Sequence, residues 1–288
     1  ALERLRDCLS DDFPPSSGTR IFDIPFPLHD AFDPLLWCGH QAQWPQFYWL
    51  QRNGDEELAA LGAVKTFPSL AGAHDFLQRQ GLADLRICGL NAFNPQEGRL
   101  FLPRLEWRRV GGKATLRLLL NSETSLREDA IAARAFLQAL TPDQAQPAAL
   151  PPVLSEQHSP DYPQWHALIE QATQAIAAGE MDKVVLARAT DVQFAAPPDP
   201  RAIVAASRRS NHRCFHFMMA FNAQRTFFGS TPERLWRRRG TLLRTEALAG
   251  TVANHAEDHR AWQLGDWLMK DDKNQRENML VVEDICQR

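Results

Sequence analysis

The chain has no run of apolar residues approaching the roughly 18 needed to cross a bilayer. It also has no basic-then-apolar leader, since Ala1-Leu-Glu-Arg-Leu-Arg-Asp7 has the spacing of an amphipathic helix. Export and membrane insertion are therefore not expected. A charge imbalance is missing too: 32 Lys and Arg stand against 35 Asp and Glu, a net charge of -3. No global field exists to recruit nucleic acid or an anionic membrane, and any anionic ligand must be met locally. Cysteine is scarce, with five residues at 8, 38, 88, 214 and 286 and no Cys-x-x-Cys. That argues against a disulfide framework and a zinc knuckle, and it fits a reducing cytoplasm. His255 and His259 do not supply the His-Glu-x-x-His order of a zinc helix, because the intervening glutamate is misplaced.

What is present suits a globular protein. The chain has 288 residues, 44% of them hydrophobic, enough for a sizeable core in one or two domains. It begins without Met and stops at Asp284-Ile-Cys-Gln-Arg288 while helical periodicity is still running, so we read it as part of a longer polypeptide. Residues 1–140 read as a strand- and hairpin-rich region. Asn53-Gly54 separates apolar runs over Gln46 to Val64, and Gly111-Gly112 separates Leu102 to Val110 from Lys113 to Leu120. Both are turn signals that tolerate positive φ. Helices are expected from Ser69 to Gln80, with Ser69 as cap, and from Ser125 to Leu140, where Ser125 and Glu128 have capping-box spacing.

Residues 141–163 carry six prolines and little periodicity, so they are expected to form an extended connection. Residues 164–288 form a third region. A helix is expected over Trp165 to Ala178, then a strand opened by Lys183, a helix after Pro200, and strands near Cys214 to Ala220 and Thr226 to Phe228. A last helix runs from Glu257 with a break near Asp271. Strands and helices do not alternate regularly, which favours an α+β class over a doubly wound sheet. The arginines at 104, 108 and 109 and at 234, 237, 238 and 239 are expected to face solvent, and they are assigned no site.

Four segments carry chemistry: Lys183-Val-Val-Leu-Ala-Arg188, Ser230-Thr-Pro-Glu-Arg-Leu235, Thr245-Glu-Ala-Leu-Ala-Gly-Thr251 and Asp272-Lys-Asn-Gln-Arg-Glu-Asn-Met-Leu-Val-Val282. Taken singly, Lys183 and Glu233 would be ordinary surface groups. In this order they resemble the chorismate-utilising enzymes, the family of the anthranilate, isochorismate and salicylate synthases. Asp23-Ile-Pro-Phe-Pro-Leu28, Pro45-Gln-Phe-Tyr-Trp49 and Leu102-Pro-Arg-Leu-Glu-Trp-Arg-Arg109 extend the likeness to the menaquinone-pathway isochorismate synthases of enteric bacteria.

The resemblance implies two large, mainly antiparallel sheets packed face to face with helices outside and the site in a cleft. Residues 164–288 would be the first part of the catalytic region. It implies Lys183 as the general base that activates water, where ammonia-using members carry glutamine, and Glu233 as the general acid. Gly250 and Thr251 would offer donors to a substrate carboxylate. Glu277 would hold Mg2+, with a second carboxylate, an arginine and a glycine-rich loop supplied from beyond residue 288. Ala249 stands where aminodeoxychorismate synthases commonly carry a lysine that attacks the ring, so that covalent route is closed here. Asn274 and Asn278 depart from a glutamate and a histidine found in many relatives, and Glu246 is expected to be structural.

The activity implied is the magnesium-dependent, reversible isomerisation of chorismate to isochorismate. Its rivals are a salicylate synthase, a siderophore-pathway isochorismate synthase and a chorismate-binding regulatory subunit. The only partner expected is the small substrate, and residues 1–288 alone are expected to be inactive.

Overall fold

Asn-Gly and Gly-Gly favour tight reversals because their residues accept positive φ. In the computed structural model, which describes residues 1–10, 12–82, 84–94 and 96–287, Gly54, Gly111 and Gly112 sit at φ +73°, +54° and +80°. The elements run α1 (Leu2–Cys8), β1 (Gly18–Phe26), α2 (Pro34–His40), β2 (Gln46–Leu50), β3 (Glu56–Phe67), α3 (Leu70–Gln80), β4 (Cys88–Asn91), β5 (Gly98–Val110), β6 (Lys113–Ser122) and α4 (Leu126–Gln138). They continue as β7 (Val153–Ser159), α5 (Tyr162–Ala177), β8 (Ala189–Phe194), α6 (Pro200–Ser210), β9 (Phe215–Asn222), β10 (Arg225–Thr231), β11 (Arg237–Arg239), β12 (Leu242–Arg244), α7 (Asp258–Leu268) and α8 (Asp272–Gln287). Both expected hairpins form, as β2–β3 and β5–β6. Ser69 and Ser125 cap α3 and α4 by accepting the backbone N–H groups of Gly72 and Glu128. No helix among the described residues is long and apolar enough to cross a membrane.

The chain divides into two compact units: residues 1–150 with 198–232, and residues 151–197 with 233–288. The grouping therefore does not follow the linear order of three consecutive regions. The segment 198–232 joins the first unit because β9 pairs with β2, Gln46 opposite Ala220.

That first unit is built on an antiparallel sheet in the order β1-β6-β5-β3-β2-β9-β10, with β4 on the N-terminal end of β5 as the eighth strand. On β6 the period of two is direct. Ala114, Leu116, Leu118 and Leu120 enter one core with Trp37, Trp107 and the buried stripe Leu126, Ala130, Ala133 and Leu137 of α4, whereas Leu119 faces the opposite core with Phe67, Phe76 and Leu102.

Several buried charges inside this unit are paired, although among the described residues Trp107 Nε1 and Gln43 Oε1 are buried without a hydrogen-bond partner. Arg104, expected at the surface, is 8% exposed. Its guanidinium donates to both carboxylate oxygens of Asp129, at 2.8 and 2.6 Å, and to the Leu119 carbonyl at 2.9 Å. The strand alternation that suggested solvent was read without α4, which brings Asp129 to the same face. Arg109 likewise pairs with Glu57 at 2.9 Å.

Glu106 has a different setting. It is 5% exposed, opposite Arg117 in the ladder, and burial pushes its carboxyl pKa up against the pull of Arg86, Arg117 and Arg108. A folded-state pKa raised above the unfolded value means that the native state binds more protons. Its stabilising share is thus full below the ordinary carboxylate range and is lost as pH rises through the raised pKa. We expect Glu106→Gln to flatten this decline, raising the melting temperature at pH 8 more than at pH 4. Equal shifts at both pH values would refute it.

The second unit is less regular. Its strands form two two-stranded ribbons, β7–β8 and β11–β12, so one of the two expected large sheets is assembled among the described residues. β7 lies inside the segment 141–163, which is therefore not wholly an extended connection. Residues 183–188, expected as a strand, have no regular secondary structure, and β8 begins only at Ala189. The run has a strand former's composition, but no ladder partner for it occurs among the described residues, and a strand exists only by pairing. The break near Asp271 is present, dividing α7 from α8.

Candidate active site

The second unit carries all five residues singled out from the sequence, and α8 is the element that organises them. Its start is fixed by Asp271, whose carboxylate accepts from the Asn274 backbone N–H at 3.0 Å and from the Asn274 side-chain amide at 2.7 Å, the geometry of a helix N-cap. Asn274 is 9% exposed. One turn on, Glu277 and Asn278 follow.

Glu277 meets Lys183. The carboxylate Oε1 lies 3.5 Å from Lys183 Nζ, while Oε2 accepts from Lys273 Nζ at 2.9 Å. The Lys273 ammonium, with Lys183 adding to it, holds the Glu277 carboxyl below its ordinary pKa, so it is ionised at neutral pH. Lys183 and Glu277 are each part-exposed, at 27% and 29% of their side chains. Both residues were singled out from the sequence, but their contact was not expected.

The loop of residues 245–251 is fastened to the same helix. Asn278 donates to the Ala247 carbonyl at 3.2 Å. Gly250, at φ +85°, approaches α8 so closely that a Cβ there would lie 2.9 Å from Asn274 Oδ1. Only glycine meets both conditions, the positive φ and the close approach. Thr251 follows on the exposed side of the loop. Asn274 thus secures the start of α8, and Asn278 ties the loop to the same helix. Their amide chemistry gave no sign of this in the sequence, although Asp271-x-x-Asn274 is legible as a cap.

Glu233 is exposed and opens the second unit. Its flank is tied to the same loop: Arg234 forms an ion pair with Glu246, and Thr245 Oγ1 donates to the Leu235 carbonyl at 2.7 Å. Glu246 is thus partnered by Arg234 and only partly exposed. Arg234, with an 11% exposed side chain, is not the solvent-facing residue the sequence suggested. Lys183, Glu277, the Gly250 loop and the Glu233 segment form one chain of contacts: amine to carboxylate, helix to loop, loop to the residue after Glu233.

The donor set can be tested against a magnesium ion. No group of three or more His, Cys, Asp or Glu side chains placed to hold a metal occurs among the described residues. A hard divalent cation of that size commonly takes only one or two carboxylates and completes its octahedron with water and substrate oxygens. Glu277 fits as one such carboxylate. Its Lys273 partner is 77% exposed and free to turn into solvent on a flexible stem.

Comparison with known proteins shows the family. The family described as "Chorismate binding enzyme" matches residues 90–288. The isochorismate synthase MenF of Escherichia coli K12 is 61% identical over 289 residues, covering 100% of this chain and 67% of that protein. The corresponding protein of Pasteurella multocida is 36% identical and covers 89% and 58%. The chain thus spans about two thirds or less of these relatives' lengths. The solved structure of the E. coli menaquinone-specific enzyme superposes with a TM-score of 0.95 at 60% identity, over 100% of this chain and 67% of that one. A putative 2,3-dihydroxybenzoate-specific isochorismate synthase of Bacillus anthracis superposes at 0.60 with 17% identity, over 86% and 60%, which speaks to the fold alone. With its α+β architecture, large antiparallel sheet and motif order, the chain belongs to the chorismate-binding enzyme family, within its isochorismate synthases.

Proposed function

We propose that the polypeptide bearing this chain isomerises chorismate to isochorismate reversibly, with magnesium, at the entry to menaquinone synthesis. The observation that carries the reading is the meeting of Lys183 and Glu277, 3.5 Å apart, on a helix that also anchors the Gly250 loop. Lys183 takes a proton from water as the water oxygen bonds to C2 of chorismate. The ring double bonds shift, and the C4 hydroxyl departs as water on receiving a proton from Glu233. Water enters and water leaves, so substrate and product are isomers and the reaction runs both ways.

Gly250 and Thr251 offer a backbone N–H and a hydroxyl to a substrate carboxylate. Glu277 is the residue that would hold magnesium, which when bound neutralises and orients the ring carboxylate. Ala249 presents no nucleophile, so the ring is attacked by water and not by the protein. Positioning of the water, the acid and the carboxylate supplies much of the rate.

The test is product analysis with the full-length enzyme, chorismate and magnesium. Isochorismate is expected, approached from either direction, with turnover abolished by excess chelator. Salicylate, no product, or undiminished turnover in chelator would overturn the corresponding part of the reading.

A further inference from the structure

The loop of residues 245–251 and helix α8 belong to the same compact unit, and they meet through side chains of the helix. Asn274 and Asn278 are four residues apart on α8 and so lie on one face. The loop runs along that face. Asn278 Nδ2 donates to the Ala247 carbonyl at 3.2 Å, and three residues further on Gly250 reaches Asn274. The three heavy atoms that a Cβ on Gly250 would meet first, at 2.9, 3.2 and 3.3 Å, are Oδ1, Cβ and Cγ of Asn274. One side chain therefore sets how near Gly250 comes to the helix.

That side chain has a defined orientation. Asn274 Nδ2 donates to Asp271 Oδ2 at 2.7 Å, and because a carboxylate only accepts, the amide nitrogen must face it and the carbonyl Oδ1 is turned to Gly250. Burial holds it there: Asn274 is 9% exposed, and of the residues of α8 it alone is buried. The helix does not need this amide in order to start. Asp271 also accepts the Asn274 backbone N–H at 3.0 Å, a bond that any residue but proline can supply. What the carboxamide meets beyond its cap is the loop. A carboxylate in its place would face Asp271 with no proton between them, and it would set negative charge beside donors meant for a substrate anion. An amide avoids both.

We propose that Asn274 is a positioning residue for substrate binding: held by Asp271, its carboxamide sets the place of Gly250, and with it the N–H and hydroxyl that Gly250 and Thr251 offer to a substrate carboxylate. The proposal rests on that reading of the loop, and the experiment separates the two.

In the full-length enzyme at saturating magnesium, Asn274→Ala should raise KM for chorismate about 10-fold, the scale of one misplaced hydrogen bond to a charged group. The turnover number should fall less than about threefold, because the proton-transfer groups are untouched. In a Lys183→Gln background, where turnover is slow, calorimetry should show the Kd for chorismate weakened by the same factor. Asn274→Ser keeps a donor for Asp271 but drops the carbonyl facing Gly250. It should behave like Asn274→Ala, and it serves if that variant folds poorly. Gly250→Ala should raise KM at least as much. The double variant should fall short of the product of the singles, since Asn274→Ala removes Oδ1 and Cγ from the path of the added Cβ. Unchanged KM and Kd in both Asn274 variants, beside a raised KM in Gly250→Ala, would overturn the proposal and leave the loop reading standing. Single effects that multiply fully would overturn it as well. So would a rise in KM that further magnesium abolishes, because the side chain would then be acting on Glu277. If Gly250→Ala and Thr251→Val both keep a normal KM, the loop reading fails and the proposal falls with it.

Discussion

Lys183→Gln and Glu233→Gln are each expected to lower kcat of the full-length enzyme by at least about 100-fold, the usual contribution of a positioned proton-transfer group, at a nearly unchanged melting temperature. The stability half of this expectation is structural. Lys183 sits in an irregular segment with a 27% exposed side chain, and ion pairs of such exposure are worth about 0–1 kcal/mol. Glu277 keeps Lys273 when Lys183 is neutralised, so no charge is left stranded. Glu233 is itself exposed, and glutamine matches its shape. A loss of activity can therefore be assigned to chemistry and not to unfolding. Either variant with near-normal turnover would remove that residue from its role. A fall of ten degrees in melting temperature would show that the part-exposed setting described above misstates what the residue supports.

The largest expected effect on stability is at Arg104. Arg104→Ala should cost about 3–5 kcal/mol, the range for breaking one side of a buried ion pair. Asp129 has a 14% exposed side chain and, among the described residues, keeps the Asn121 backbone N–H, at 2.9 Å, once the two guanidinium contacts are gone. The Leu119 carbonyl, deep in the central strands, also loses a donor. Replacing both partners should cost much less than removing one, because an unpaired buried charge and not the lost pair dominates the penalty. Urea midpoints of Arg104→Ala, Asp129→Ala and the double variant test this. A double variant as unstable as the sum of the singles would refute it.

The parts of the fold that were legible are those fixed by neighbours in sequence. Positive φ at Gly54, Gly111 and Gly112 and the serine caps of α3 and α4 are local demands met by local residues. Arg104 was illegible because its partner sits on a helix that follows one further strand. Residues 183–188 were misread for the converse reason: valine and leucine favour a ladder, but pairing is decided by tertiary neighbours, and none is in place among the described residues. At the candidate site the order of motifs was informative, and it gathered Lys183, Glu233, Gly250, Thr251 and Glu277 before any geometry was known. Their fastenings were not readable. Asn274, Asn278 and Arg234 are common residue types whose meaning appears only when loop and helix are brought together.

The pairing of β2 with β9 also bears on how the protein is made. Gln46 meets Ala220 and Leu50 meets His216, so a strand in the middle of the large sheet waits for a partner synthesised long after it. Chains fold largely from the N-terminus as they leave the ribosome, and long-range strand pairing is slow because closing the loop costs entropy before any contact repays it. Until residues 215–222 emerge, the outer edge of β2 is an unpaired template with Phe47 and Tyr48 in its row, the kind of edge that captures other strands. Nascent chains stalled before residue 215 should accordingly depend on chaperones far more than chains released after residue 231, when β9 and β10 can close the sheet.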